Sequence, residues 1–163
     1  KNKKLPAGTF FVELIFIAEA MAPKALQVGR FLPPTPIRIL LDKGSNNLAD
    51  NVAFDAFNQQ LSAVGRQTAS KLASALQSAI HPMITSAQGM AQTKLETLRA
   101  ESLEKMQTAL GEEQARLTAL KQINPNIRDE ELSFFDKQRS ELTTYIEKAQ
   151  VKLDAIRLIV VSH

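Results

Sequence analysis

Apolar residues in this chain recur with a period of two at its ends and with helical spacing between them. Phe10, Val12, Leu14 and Phe16 share one face of an extended segment, with Glu13 and Glu19 on the other face beside Ile15 and Ile17. That pattern predicts a strand over about residues 9–20. A second, over 36–42, places Ile37, Ile39 and Leu41 opposite Arg38 and Asp42, between the prolines before it and the Lys43–Asn47 turn residues after it. The closing run sets Ile156, Leu158 and Val160 opposite Arg157 and predicts a third strand over 155–161. The last strand completes a small antiparallel sheet begun by the first two, and so ties the two ends of the chain together.

Between the second and third strands, Ala, Gln, Leu, Glu and Lys dominate and strand-like alternation stops, which predicts helix. Pro82 and the turn residues Asn124–Asn126 divide this region into helices over about 51–80, 82–122 and 127–154, with Gly89 and Gly111 as weak points in the second. Asn126 is the expected cap of the third helix, with Asp129 at its third position. At about 1.5 Å per residue the second helix would be about 60 Å long and the third about 42 Å, which suggests an antiparallel helical hairpin. Leu103, Met106, Leu110, Glu113, Leu117 and Leu120 form one seam of alternating three- and four-residue steps. Leu132, Phe135, Arg139, Leu142, Ile146, Ala149 and Leu153 form the other. With the turn centred near Pro125, facing residue numbers sum to about 252. Leu110 then meets Leu142, and the two charged intruders, Glu113 and Arg139, meet each other. The fold class that follows is α+β, a small sheet packed with long helices.

Composition narrows the function classes. The 163 residues suit one compact domain or a fragment, and 44% apolar content supports a sizeable core. With no cysteine, disulfide frameworks and thiolate chemistry are excluded, and the cytoplasm is the default location. The formal charge of +3 is too small and dispersed to mark a nucleic-acid binder. Lys1–Lys4 followed by an apolar run imitates a signal peptide, but Glu13 interrupts that run and Pro6 and Gly8 precede it. No stretch reaches the about 20 apolar residues of a membrane helix. A chain opening on Lys1 rather than Met points to a piece of something longer.

Catalytic chemistry is sparse. Neither a GxxxxGK[ST] nor a GxGxxG loop occurs, and the acidic run from Asp129 suits a helix N-terminus better than magnesium binding. His81 stands beside Pro82 and His163 is terminal, so neither has a spaced ligand partner. Glu112 and Glu113, adjacent on a helix, diverge by about 100° and cannot share a substrate proton. No catalytic, cofactor-binding or metal-ligating residue is assigned. In the strand-forming part the basic residues Lys1, Lys3, Lys4, Lys24, Arg30, Arg38 and Lys43 exceed the acidic Glu13, Glu19 and Asp42. A basic sheet edge could touch phosphate, but Arg38 and Arg157 could equally pair across strands with Glu13. The aromatics offer no stacking motif for bases.

The segments Leu5–Gln27, Arg30–Ala49, Asn124–Leu132 and Leu153–His163, in that order, resemble the C-terminal region of the bacterial RNA polymerase-associated, ATP-dependent members of the Swi/Snf family. The resemblance spans essentially the whole chain. It implies a parent protein that binds RNA polymerase core, uses ATP on double-stranded DNA through two helicase-like lobes, and recycles polymerase stalled after transcription. The parent's ATP-binding and helicase motifs have no counterpart here. The chain is therefore expected to be a single non-catalytic domain, residues 1–163, with a scaffold or protein-contact role and no cofactor of its own. Its expected partners are polymerase and the other domains of its own chain. The alternative is a basic accessory surface for DNA or RNA.

Overall fold

The computed structural model describes residues 5–162. Their elements run β1 (Phe10–Glu19), two short 3-10 turns (Lys24–Leu26 and Val28–Arg30), β2 (Thr35–Leu41), α1 (Phe54–Asn58), α2 (Arg66–Ile123), α3 (Asp129–Glu147) and β3 (Gln150–Val160). They form two compact units. One contains the described part of Lys1–Ile17, Pro36–Thr93 and the described part of Lys152–His163; the other contains Ala18–Thr35 and Lys94–Val151.

The first unit is organised around the sheet. Strand order is β2-β1-β3, all antiparallel, so the first strand is central and the last lies on an edge. At the chain ends, Gly8 N–H donates to Val161 C=O at 2.9 Å and Val161 N–H to Thr9 C=O at 2.8 Å. The predicted alternation is real. Phe10, Val12, Leu14 and Phe16 on β1, with Ile37, Ile39 and Leu41 on β2, are all buried. On the opposite face Phe11, Leu40 and Ile159 form a second cluster under Leu48, Ala49, Val52, Phe57, Leu61 and Val161. The chain after β2 turns back along that strand. Leu48 N–H donates to Leu40 C=O at 2.7 Å, and the Asn47 side chain accepts from Leu40 N–H at 3.2 Å, which covers part of an otherwise open edge.

The turn itself is built by Asp42. Its Oδ1 accepts from the backbone N–H of Gly44 and of Asn46, each at 2.9 Å, and Asn46 Nδ2 donates to Oδ2 at 3.0 Å. These donors, the Asn46 side chain first among them, hold the Asp42 carboxyl below its ordinary pKa.

Helix boundaries differ from the sequence expectation in three places. Residues 51–80 do not form one helix: α1 is a five-residue turn of helix, and α2 begins only at Arg66. Pro82 does not break α2, which runs through it for 58 residues. Proline removes one hydrogen bond and crowds the preceding turn, but Ser78, His81 and Pro82 are exposed, so water can reach the freed carbonyl. Just beyond, Met83, Ala87 and Ala91 are buried at four-residue spacing, and this tertiary burial holds the helix in register. At the other end, residues 150–154 belong to β3, not to the third helix. β-Branched Val151 sits there, and Ala149 N–H and Lys148 N–H already close the helix on Ile146 and Thr144.

The second unit holds the helical hairpin. Met106 and Leu110 of α2 and Leu142 and Ile146 of α3 are fully buried, as is Ala149 just beyond. The two 3-10 turns pack against α3, with Leu26, Phe31 and Leu32 buried. At the hairpin's tip Arg128, not Asn126, precedes the first residue of α3, and Glu131 accepts from its backbone N–H at 3.2 Å. This is half of a capping box, and it shifts the helix start two residues past the predicted position.

Candidate functional site

A charge on the inner strand of a sheet must be paired, and here the pairing is three-way. Glu13 on β1 is 3% exposed. Arg38 of β2 donates from Nε to Glu13 Oε1 at 2.7 Å, and Arg157 of β3 donates from Nε to Oε2 at 2.8 Å, with its Nη2 on the same oxygen. The three residues lie side by side because each occupies the polar position of an alternating strand and the antiparallel register brings those positions together. Arg38 also donates from Nη1 to the carbonyls of Val52 and Ala49, fastening the segment after the turn to the sheet. The Phe54 ring of α1 covers both guanidinium groups, with its centroid 5.4 Å from Arg38 Cζ and 5.8 Å from Arg157 Cζ.

This arrangement is cohesive. Each Glu13 carboxylate oxygen is engaged by a guanidinium and both guanidinium groups meet an aromatic ring, while Arg38 Nη2 is buried without a hydrogen-bond partner. Of the two readings open for Arg38 and Arg157, the structure selects pairing with Glu13. Phe54 is the member that sequence reasoning missed; it lies on a short helix with no periodic pattern to mark it.

The residues weighed for chemistry are scattered. His81 is exposed on α2, and its carbonyl accepts from Thr85 Oγ1 at 3.3 Å; His163 lies outside the described residues. Asp129 pairs with Lys121 across the hairpin turn. Glu112 and Glu113 diverge, and Glu113 pairs with Arg30. No group of three or more His, Cys, Asp or Glu side chains among the described residues is placed to hold a metal ion. None of the described helices is long and apolar enough to cross a membrane.

The charged residues of the hairpin seam do not meet as the spacing predicted. Arg139 Nη2 donates to Gln114 Oε1 and, at 3.0 Å, to Asp136 Oδ1. Gln114 Nε2 in turn reaches Leu132 C=O at 3.3 Å. The helices are aligned close to the predicted register, but residue 114 rather than 113 faces α3 at this level. A strict seven-residue seam drifts by about 20° per heptad on a straight helix. The Lys24–Arg30 segment, absent from a two-helix picture, supplies Arg30 as the partner of Glu113. At the far end of the hairpin Arg99 donates to Ala149 C=O and pairs with Glu96.

The fold is thus α+β, with its buried charges committed to internal pairs. Residues 1–161 match the model of the C-terminal region of the RNA polymerase recycling family, and the chain belongs to that family. It is 52% identical over 163 residues to the RNA polymerase-associated protein RapA of Photobacterium profundum. That match covers 100% of this chain and 17% of the relative.

Proposed function

We propose that this chain is a non-catalytic C-terminal domain of an ATP-dependent DNA translocase that associates with RNA polymerase and recycles it, and that its role there is scaffolding and protein contact. RNA polymerase core and the other domains of the same protein are the partners, the cytoplasm is the compartment, and ATP is bound elsewhere in the protein. The observation that carries this reading is the engagement of the arginines. Arg38 and Arg157 are held by Glu13, and Arg30 by Glu113, so the residues best suited to phosphate in this part of the chain are committed to internal pairs.

A second reading, contact with DNA or RNA, draws on one feature of α2. From Ala56 to Leu95 the chain has no Asp or Glu, while exposed Arg66, Lys71 and many Ser, Thr and Gln side chains supply donors of the kind that contact a phosphate backbone. Two measurements separate the readings. Under the first, deleting the domain from the whole protein weakens binding to purified core RNA polymerase and leaves duplex DNA binding unchanged. Under the second, the domain itself shifts duplex DNA, with an affinity that falls steeply as salt rises. DNA-stimulated phosphate release from ATP by the pure domain would overturn both.

A further inference from the structure

We propose that the tip of the α2–α3 hairpin is a docking site for a protein segment that inserts an apolar side chain flanked by lysine or arginine. The proposal rests on the protein-contact reading above and names the surface and the chemistry of the contact.

Large apolar side chains are concentrated at this tip with little to cover them. Leu120 is 49% exposed, Ile123 84% and Phe134 58%. Beside them Leu117, Phe134 and Phe135 line a shallow cleft of about 500 Å³, whose remaining walls are Arg128, Glu130 and Glu131. Solvating such side chains has a free-energy cost, and clusters of them on a well-ordered surface mark contact sites.

The tip is also held rigid. Lys121 is paired with Asp129 across the turn, and Glu131 accepts from the Arg128 N–H. Below, Gln114 links Leu132, Asp136 and Arg139. A preorganised surface loses little conformational entropy on binding, and a contact of modest area is therefore sufficient.

Charge decides the occupant. Lys121 and Asp129 neutralise one another, which leaves Glu130 and Glu131 against Arg128 at the mouth of the cleft, an excess of negative charge. Nucleic acid is disfavoured, because its phosphates would face these carboxylates. A second copy of the tip would bring the same carboxylates against them. A segment carrying an aliphatic or aromatic anchor next to a basic residue matches both features: the anchor enters between Leu117, Phe134 and Phe135, and the basic group meets Glu130.

The test uses the whole natural protein and purified core RNA polymerase. A photocrosslinking benzoylphenylalanine at Ile123, an outward-facing position where it does not disturb packing, is expected to form an adduct with a polymerase subunit. The adduct should map to a segment with an apolar residue beside Lys or Arg. Ile123→Glu and Glu130→Lys, both at exposed positions, are each expected to weaken polymerase binding by about tenfold. Adducts confined to the protein's own chain, or polymerase bound at unchanged affinity by both variants, would overturn the docking site and leave the protein-contact reading standing. Failure of the unaltered whole protein to bind polymerase would overturn both.

Discussion

Arg157, in the last strand, donates from Nε to Glu13 Oε2 at 2.8 Å, joining residues 144 apart in the sequence. Arg38 holds the other carboxylate oxygen from the opposite side, so one buried acid cross-links all three strands. The two arginines are not equivalent. Arg38 is 16% exposed and also anchors Val52 and Ala49, while Arg157 is 38% exposed and serves Glu13 alone in this cluster apart from the Phe54 ring. Arg38→Leu is therefore expected to destabilise the protein by about 3 kcal/mol and Arg157→Leu by about 1 kcal/mol, since the second leaves Glu13 with its better-buried partner. Urea denaturation of the two variants checks the order, and equal losses would contradict it.

Because β3 pairs with the central strand, its loss reaches the N-terminal strands. Deleting Ile156–His163 removes Arg157, Ile159 and five of the eleven residues of β3, so over that stretch β1 is left paired with β2 alone, and a two-strand ribbon is marginal by itself in water. The expected outcome is loss of protection of the β1 amides in hydrogen exchange. Protection retained through Phe10–Phe16 would show that this C-terminal half of β3 is dispensable to the sheet.

The hairpin seam gives a prediction with an internal control. Gln114 and Arg139 are hydrogen-bonded, so a double-mutant cycle with Leu at both positions is expected to show about 0.5–1.5 kcal/mol of coupling. The Glu113 and Arg139 pair suggested by spacing should instead be additive to within about 0.5 kcal/mol. Coupling of Glu113 to Arg30, an exposed pair, is expected to stay below about 1 kcal/mol.

Asp42 supplies a pH dependence. Its folded-state pKa is lowered by donors from Asn46 and Gly44, so it stabilises the fold above its ordinary value of 3.8, and this contribution fades as pH falls through the lower folded value. Asp42→Asn should cost stability at neutral pH, and its deficit against the unaltered protein should shrink as pH falls below the ordinary carboxylate value and through the lower folded one. Gly44→Ala tests the same loop independently, since a Cβ there would stand 3.0 Å from Asn46 Nδ2 and 3.3 Å from Asp42 Oδ1. A deficit independent of pH would show that the Asp42 charge does not hold the turn.

Local periodicity was enough to place the three strands, the core-facing residues of β1 and β2 and the pairing of two helices, but not the face of β3, where Ile159 beside Arg157 is buried and Ile156 on the expected face is exposed. Phe10, Val12, Leu14 and Phe16 have a two-residue alternation that suits an extended segment, although Phe11 and Glu13 on its other face are buried as well. Leu110 and Leu142 are buried where the seam spacing places them. Glu13, Arg38 and Arg157 were recognisable as a possible set from alternation, but whether the arginines faced solvent or the acid depended on strand order, which no single strand encodes. The rest followed from packing between segments distant in sequence. Pro82 stays inside a helix because Met83, Ala87 and Ala91 are buried just beyond it, an effect of packing larger than local propensity. Phe54 reaches the two arginines only because the turn built on Asp42 sends the chain back along β2. Glu113 meets Arg30 rather than Arg139 because a third segment, distant in sequence, lies beside the helix, and a repeat within two helices carries no information about a neighbour outside them.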